Sequence, residues 1–297
     1  MKTDMDGILV INKEKGFTSH DVVAKLRGIL HMKKIGHTGT LDPDATGVLV
    51  VCLGKATRLV EFLTEKQKSY EAVLRLGVIT DTQDMTGQIL ETKEVSVTRE
   101  QAEAIAASFL GDQLQIPPMY SALKVKGKRL YELAREGQEV ERKPRPVHFY
   151  EIDIQDFSLP LIRIKVTCSK GTYIRTLCHD MGQRLGCGAS MEALTRTRCG
   201  NSTLKDSYTL AQVEKAAKEG RADELIVSVE EILKDYPLVS CNAFGDRLLE
   251  NGNPLGEKLV LGEFHEGWVR MCTSLGEFKG IYTWNQSRRQ YFPVKMF

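Results

Sequence analysis

The segment Gly36-His37-Thr38-Gly39-Thr40-Leu41-Asp42-Pro43-Asp44-Ala45-Thr46-Gly47, followed at once by Val48-Leu49-Val50-Val51-Cys52-Leu53, decides how the chain is organised. The unbroken apolar run reads as a strand buried on both faces. The residues before it read as a stiff loop. Its glycines open backbone geometries closed to other residues, and Pro43 biases Asp42 toward an extended conformation. A carboxylate is thereby presented from a rigid loop between a helix and a buried strand, where catalytic groups tend to lie.

Three chemistries compete for such a loop. A phosphate cradle is excluded, because neither G-x-x-x-x-G-K-[ST] nor G-x-G-x-x-G can be laid on it. An aspartyl-phosphate site is excluded as well: the stretch Thr38-Gly39-Thr40-Leu41 would put the nucleophile at Gly36. A plain turn, in which Asp42 or Asp44 caps backbone N–H groups, stays open on this segment alone.

Working outward, Gly7 to Asn12 reads as a strand, and Thr18-x-x-Asp21 offers a capping-box start to a helix with Val22, Val23, Leu26, Ile29 and Leu30 on one face. Lys68 to Leu76 places Tyr70, Ala72, Leu74 and Leu76 on one side of a strand. Ala102, Ile105, Ala106 and Phe109 mark another helix. Ile162, Ile164, Val166 and Cys168 alternate with Arg163, Lys165, Thr167 and Ser169, a strand with one buried and one basic face. Gly171-Thr172 ends it, and Ile174, Leu177, Met181 and Leu185 give the next helix. Strands and helices mix without strict βαβ order, which predicts an α+β fold around a mixed, largely antiparallel sheet.

Lys plus Arg is 41 and Asp plus Glu is 39, a net charge of +2 over 297 residues, so bulk charge predicts no nucleic acid. The distribution does. Residues 161–205 hold eight basic side chains against two acids and residues 121–145 eight against four, whereas residues 206–235 hold four against eight. Past Tyr236-Pro237 glycine, aromatic and β-type residues dominate. We expect residues 1–236 to form one domain and residues 237–297 a small β-rich module, so that a cut at Pro237 leaves a soluble core domain. Seven cysteines form no C-x-x-C, predicting reduced thiols and no zinc site. No apolar run reaches the ~20 residues of a membrane helix, and no apolar h-region follows Met1, so a cytoplasmic protein is expected.

The loop resembles, nearly residue for residue, the signature of the TruB family of tRNA pseudouridine synthases. The likeness continues through Gly7-Ile8-Leu9-Val10-Ile11-Asn12-Lys13, Gly16-Phe17-Thr18-Ser19, Lys68-Ser69-Tyr70, Gly77, Thr80-Asp81-Thr82 and Asp84-x-x-Gly87. It runs on through Gln115-Ile116-Pro117-Pro118-Met119-Tyr120-Ser121-Ala122-Leu123-Lys124, Cys168-Ser169-Lys170-Gly171-Thr172-Tyr173-Ile174-Arg175 and Leu194-Thr195-Arg196-Thr197, covering about residues 1–200 in family order.

The resemblance implies conversion of uridine to pseudouridine at position 55 in the T arm of tRNA. It makes Asp42 the catalytic aspartate, Tyr70 the aromatic against the flipped-out base and Arg175 the basic partner of Asp42. His37 would sit against the RNA, Leu194 would line the uracil pocket with Tyr173 close to it, and Lys13 would bind substrate. Residues 119–146, with Lys124, Lys126, Lys128 and Arg129, would be a mobile RNA-gripping insertion that buries little apolar surface, and Arg196 a further RNA contact. The carboxy-terminal module is similar to the PUA RNA-binding domain. Two residues depart from the pattern: Glu14 replaces a proline, and Asp44 adds a carboxylate that could perturb Asp42.

The chemistry breaks a C–N glycosidic bond and makes a C–C bond with no net redox change or group transfer. No cofactor or metal is therefore expected. Ionised aspartate can serve as nucleophile or base unaided, and a base leaving an RNA helix needs an aromatic surface to stack on. A monomer with no obligatory protein partner is expected. Two other readings are a non-catalytic tRNA-binding chaperone, which would not need Asp42, Tyr70 and Arg175 together, and a guide-RNA-dependent enzyme of the same family.

Overall fold

A computed structural model describes residues 5–64, 67–125 and 127–297. Its strands are β1 (Gly7–Lys13), β2 (Ile35–His37), β3 (Thr46–Leu53), β4 (Lys68–Leu76), β5 (Val78–Thr80), β6 (Ile89–Thr92), β7 (Gly111–Gln115), β8 (Lys124–Val125), β9 (Lys128–Arg129), β10 (Arg145–Ser158), β11 (Leu161–Cys168), β12 (Ala189–Cys199), β13 (Ser202–Thr203), β14 (Val227–Ser228), β15 (Leu238–Cys241), β16 (Leu255–Gly256), β17 (Val260–Leu261), β18 (Trp268–Cys272), β19 (Phe278–Asn285) and β20 (Gln290–Met296). The helices are α1 (Ser19–Ile29), α2 (Val60–Thr64), α3 (Arg99–Ala107), α4 (Leu130–Arg135), α5 (Ile174–Arg184), α6 (Leu210–Lys218), α7 (Val229–Ile232) and α8 (Ala243–Glu250).

The main sheet runs β14-β1-β3-β12-β4-β11-β10-β7, with β2 on β3 and β13 on β12. Its pairs are antiparallel except β3 with β12, which run parallel through Thr46–Thr195 and Gly47–Arg196. The unbroken apolar run of β3 is explained by its two covered faces. Leu49, Val51 and Leu53 join Leu9 and Ile11 of β1 beneath α1 and α6, while Val48, Val50 and Cys52 join Ile8 and Val10 on the opposite side. The period of two on β4 and β11 instead sends Tyr70, Ala72, Leu74, Leu76, Ile162, Ile164 and Val166 into a third core with α3 and α5.

The expected capping box opens α1: the Thr18 hydroxyl accepts from the Asp21 N–H at 3.0 Å, and the Asp21 carboxylate accepts from the Thr18 N–H at 2.8 Å. Gly47 holds φ +100°, and a Cβ there would lie 2.3 Å from the Arg196 carbonyl. Only glycine lets the loop join β3 while β12 passes alongside.

A second sheet, β16-β20-β19-β18-β15-β17, is drawn entirely from residues 238–296. It is not detached. Ile281 of β19 is buried with Ile8, Val10, Val48 and Val50, and Phe278, Val294 and Phe297 pack against the same cluster. Trp268 meets Phe62 of α2 edge-on at 4.9 Å, and Arg58 donates to the Met296 carbonyl at 2.6 Å. The module thus covers one face of β1 and β3, and a cut at Pro237 would expose that face.

In the insertion, α4 covers the stretch around Leu130 to Ala134 where a helix was expected. Strands β8 and β9 pair antiparallel ahead of it, and Leu130 and Leu133 are buried, so the segment contributes more apolar surface than its charges suggest. Two leucines spaced i, i+3 suffice to fix a turn of helix against the fold, which a count of charges does not reveal. The seven cysteines are free and buried. Among the described residues no helix is long and apolar enough to cross a membrane.

Candidate active site

The loop ahead of β3 is fastened from three sides. The Ser19 hydroxyl, at the start of α1, accepts from the Leu41 N–H at 2.9 Å. Lys13, at the end of β1, is 1% exposed, and its Nζ donates to the carbonyls of Glu14, Phe17 and Pro43 at 3.1, 2.6 and 3.0 Å. Arg196 is also 1% exposed, and donates from Nε to the Val48 carbonyl at 2.6 Å and from Nη2 to the Gly39 carbonyl at 3.1 Å.

Both residues correct the sequence-based expectation. An ammonium has three N–H donors, and Lys13 has all of them on backbone carbonyls, leaving none for substrate. The Arg196 guanidinium is sealed under the loop and cannot reach RNA phosphates. They position the loop instead. Burial pulls the Lys13 ammonium down to about 8, against the raising influence of the nearby Asp42 and Asp44 charges.

Asp42 stands at the outer bend of the loop with 38% of its side chain exposed, while Leu41 and Ala45 on either side are buried. Arg175, the second residue of α5, is 6% exposed in its side chain. Its Nε lies 3.0 Å from Asp42 Oδ2, and its Nη2 donates to Asp42 Oδ1 at 3.3 Å. Nη1 donates to the Thr82 carbonyl at 3.1 Å and faces Asp84 Oδ2 at 3.4 Å, and Nη2 also donates to the Tyr120 carbonyl at 2.9 Å. The fork thus makes three hydrogen bonds and stands between two carboxylates. A cation in the first turn of a helix opposes the macrodipole; two carboxylates offset that here.

Sequence reasoning looked to Asp44 as a second carboxylate acting on Asp42. Asp44 turns outward to Lys15, 3.8 Å away, with both side chains about half exposed or more. The carboxylate that faces Asp42 across Arg175 is Asp84, in the turn between β5 and β6. Its Oδ1 accepts from the Thr82 hydroxyl at 2.7 Å and the Thr86 N–H at 3.0 Å. The signal was in the sequence: Asp84-x-x-Gly87 is a side-chain-stabilised turn, and a Cβ at Gly87 would lie 2.2 Å from Asp81 Oδ1.

Burial pushes the Asp42 carboxyl above the usual carboxylate range, Arg175 pulls it back, and the Asp84 charge pushes it up again. Tyr70 is buried on β4 between Val166 and Arg196, and burial drives its phenol up to about 12, so it is neutral at pH 7. Leu194 on β12 is buried with Tyr70 in the same core. Tyr173 caps the start of α5, half-buried, its phenol raised by burial. His37, at the end of β2, meets His20 edge-on at 5.9 Å. Burial lowers its pKa, the His20 and Arg196 charges lower it further, and Nδ1 has no hydrogen-bond partner among the described residues.

Lys128 and Arg129 are exposed on β9, Lys128 3.4 Å from Glu136 and Arg129 donating to the Tyr131 hydroxyl at 2.7 Å. Lys124 lies on β8, and Lys126 falls outside the described residues. Among the described residues no three His, Cys, Asp or Glu side chains converge so as to hold a metal ion.

The loop that bears Asp42 lies inside one family match, since TruB family pseudouridylate synthase (N terminal domain) covers residues 27–174, and its partner Arg175 opens the next. The tRNA pseudouridylate synthase B C-terminal domain matches residues 175–234. The chain belongs to the TruB family of pseudouridylate synthases.

Among TruB relatives, the tRNA pseudouridine synthase B of Clostridium novyi (strain NT) is 47% identical over 86% of this chain and 88% of that protein. That of Lachnoclostridium phytofermentans is 47% identical over 99% of this chain and 100% of its own length. A chain in the structure of an H/ACA RNP bound to a substrate RNA containing 2′-deoxyuridine superposes with a TM-score of 0.73 at 24% identity, over 99% of this chain and 86% of that one. The TruB architecture is thus α+β, a mixed, largely antiparallel sheet followed by a small β-rich, PUA-like part.

Proposed function

We propose that this TruB-family enzyme isomerises uridine to pseudouridine at position 55 in the T arm of tRNA. In that reaction the C1′–N1 bond breaks and a C1′–C5 bond forms, while the proton lost from C5 is balanced by one gained at N1. The balance needs neither redox partner nor transferred group. Asp42 is the group that acts on the target nucleotide, and Arg175 fixes its direction. Tyr70 is the aromatic surface under the flipped-out base, Leu194 and Tyr173 bound the uracil, and His37 lies against the RNA strand. Residues 119–146 grip the stem-loop through Lys128 and Arg129, with Lys124 and Lys126 in the same segment. Residues 1–236 carry the chemistry and residues 237–297 add an RNA-binding surface. The enzyme acts as a monomer in the cytoplasm, without an obligatory protein partner.

The observation that carries this reading is the side-on pair between Asp42 and the buried Arg175, whose fork is also held by the Thr82 and Tyr120 carbonyls. A tRNA-binding chaperone would need no such pair. The test is mass-labelling of an unmodified tRNA transcript incubated with the purified chain alone. One pseudouridine at position 55 is expected. Product only at other positions, or only with an added guide RNA or protein, overturns the assignment.

A further inference from the structure

The chain enters the insertion at Gln115, the last residue of edge strand β7, whose side chain is buried. Its amide pairs with one backbone residue as a strand neighbour would. Nε2 donates to the Tyr173 carbonyl at 3.0 Å, and Oε1 accepts from the Tyr173 N–H at 2.8 Å. A side-chain amide carries donor and acceptor together, which suits it to hold both polar groups of one peptide residue.

Tyr173 is the residue from which α5 starts, with no side-chain cap, and its carbonyl also accepts from the Leu177 N–H at 3.1 Å. Arg175 lies two residues on. The chain leaving Gln115 then returns to Arg175, because the Tyr120 carbonyl accepts from Nη2 at 2.9 Å. Between these points the Pro117 carbonyl accepts from Arg142 Nη1 at 3.2 Å. Residues 115–120 therefore form a strap tied at both ends to the first turn of α5.

We propose that Gln115 is a positioning residue for the isomerisation: by holding both backbone polar groups of Tyr173, it sets the direction in which α5 delivers Arg175, and so the angle at which Asp42 meets the target nucleotide. This rests on the reading of Asp42 and Arg175 proposed above. The root of the insertion and the ion pair then share one rigid element. A shift at Gln115 reaches Asp42 through Ile174, the single residue that separates Tyr173 from Arg175.

The test uses the full chain and an unmodified T-arm stem-loop, with single-turnover rates taken from pH 5 to 8 alongside RNA affinity and Tm. Gln115→Met removes both bonds. Gln115→Glu keeps the shape and sets a carboxylate oxygen against the Tyr173 carbonyl, and it carries the test should the methionine variant fail to fold. We expect each to lower the single-turnover rate at least tenfold with RNA Kd within twofold. The acid limb should also move to higher pH. The charged groups facing Asp42 are Arg175, Asp84 and Lys13, and loosening Arg175 removes the largest influence that favours the carboxylate.

An unchanged rate overturns the proposal. So does a rate loss that follows Tm while the acid limb stays in place, for Gln115 is then only a staple between β7 and α5. Wild-type chain that yields no product on the stem-loop sinks the functional reading instead, which separates the two failures.

Discussion

Arg175 lies side-on against Asp42, Nε 3.0 Å from Oδ2 and Nη2 3.3 Å from Oδ1, so the carboxylate is fixed in plane as well as in place. Bidentate pairing of this kind adds direction to charge. The opposite corner of the fork faces Asp84 at 3.4 Å. Two carboxylates on one guanidinium set up a competition that a substitution at either can expose.

Asp84→Asn removes the charge that pushes the Asp42 carboxyl upward. The sign is definite: Asp42 then ionises at lower pH, and the acid limb of the rate–pH profile moves down, while the wild-type limb lies above the ordinary aspartate value of about 3.9. Turnover should fall at least tenfold as well, since one anchor of Arg175 is weakened. A limb that moves up would show that Asp84 acts on Asp42 only through Arg175. Asp44→Asn should be close to wild type, its partner Lys15 being exposed.

Arg196 and Lys13 are predicted to govern stability. Arg196→Met strips two backbone carbonyls of their donor under the active loop and should lower stability by at least about 2 kcal/mol, read as a drop in denaturation midpoint. Lys13→Met should do the same. Neither should change the salt dependence of RNA binding where the chain still folds, and a flatter salt slope for Arg196→Met would return that residue to the RNA surface.

The salt slope belongs to the insertion. Lys128→Ala with Arg129→Ala should leave Tm unchanged, since both side chains are exposed. It should reduce the log–log slope of affinity against salt by up to about two contacts' worth, roughly 0.7–0.9 each. A wild-type slope in the double variant would make β9 an ordinary surface turn.

Removing residues 237–297 uncovers the face of β1 and β3 now packed by Ile281, Phe278, Val294 and Phe297. Losing those apolar contacts should lower stability by at least about 2 kcal/mol, roughly 4–8 °C in Tm for a chain of this size. Differential scanning calorimetry checks it. Unchanged Tm with merely weaker tRNA binding would restore the picture of a separable module.

The parts of the fold that the sequence made legible are those with a strict local period or a local partner. The run Val48 to Leu53, the alternation through Tyr70 to Leu76 and the Thr18–Asp21 box each announce their element and its buried face. Asp42 stood out because Pro43 biases it toward an extended conformation among glycines that open unusual backbone geometries, and because the loop as a whole resembles the family signature. Direction was harder. Lys13 and Arg196 read as free cations, because a sequence does not say that a charged side chain has carbonyls waiting for it across 30 or 148 residues. The choice between Asp44 and Asp84 had the same cause: nearness in sequence favoured Asp44, and β12, through Met191, brings the Asp84 turn to the site.

The central claim is that conversion depends on the carboxylate that Arg175 holds. Its most direct test is single-turnover tritium release from C5-labelled uridine in an unmodified T-arm stem-loop, comparing wild type with Asp42→Asn while RNA affinity is measured in parallel. The substitution keeps shape and removes charge. We expect wild type to release tritium stoichiometrically, and Asp42→Asn to release none above background while binding within a few fold. Release by Asp42→Asn at a rate near that of wild type would contradict the account.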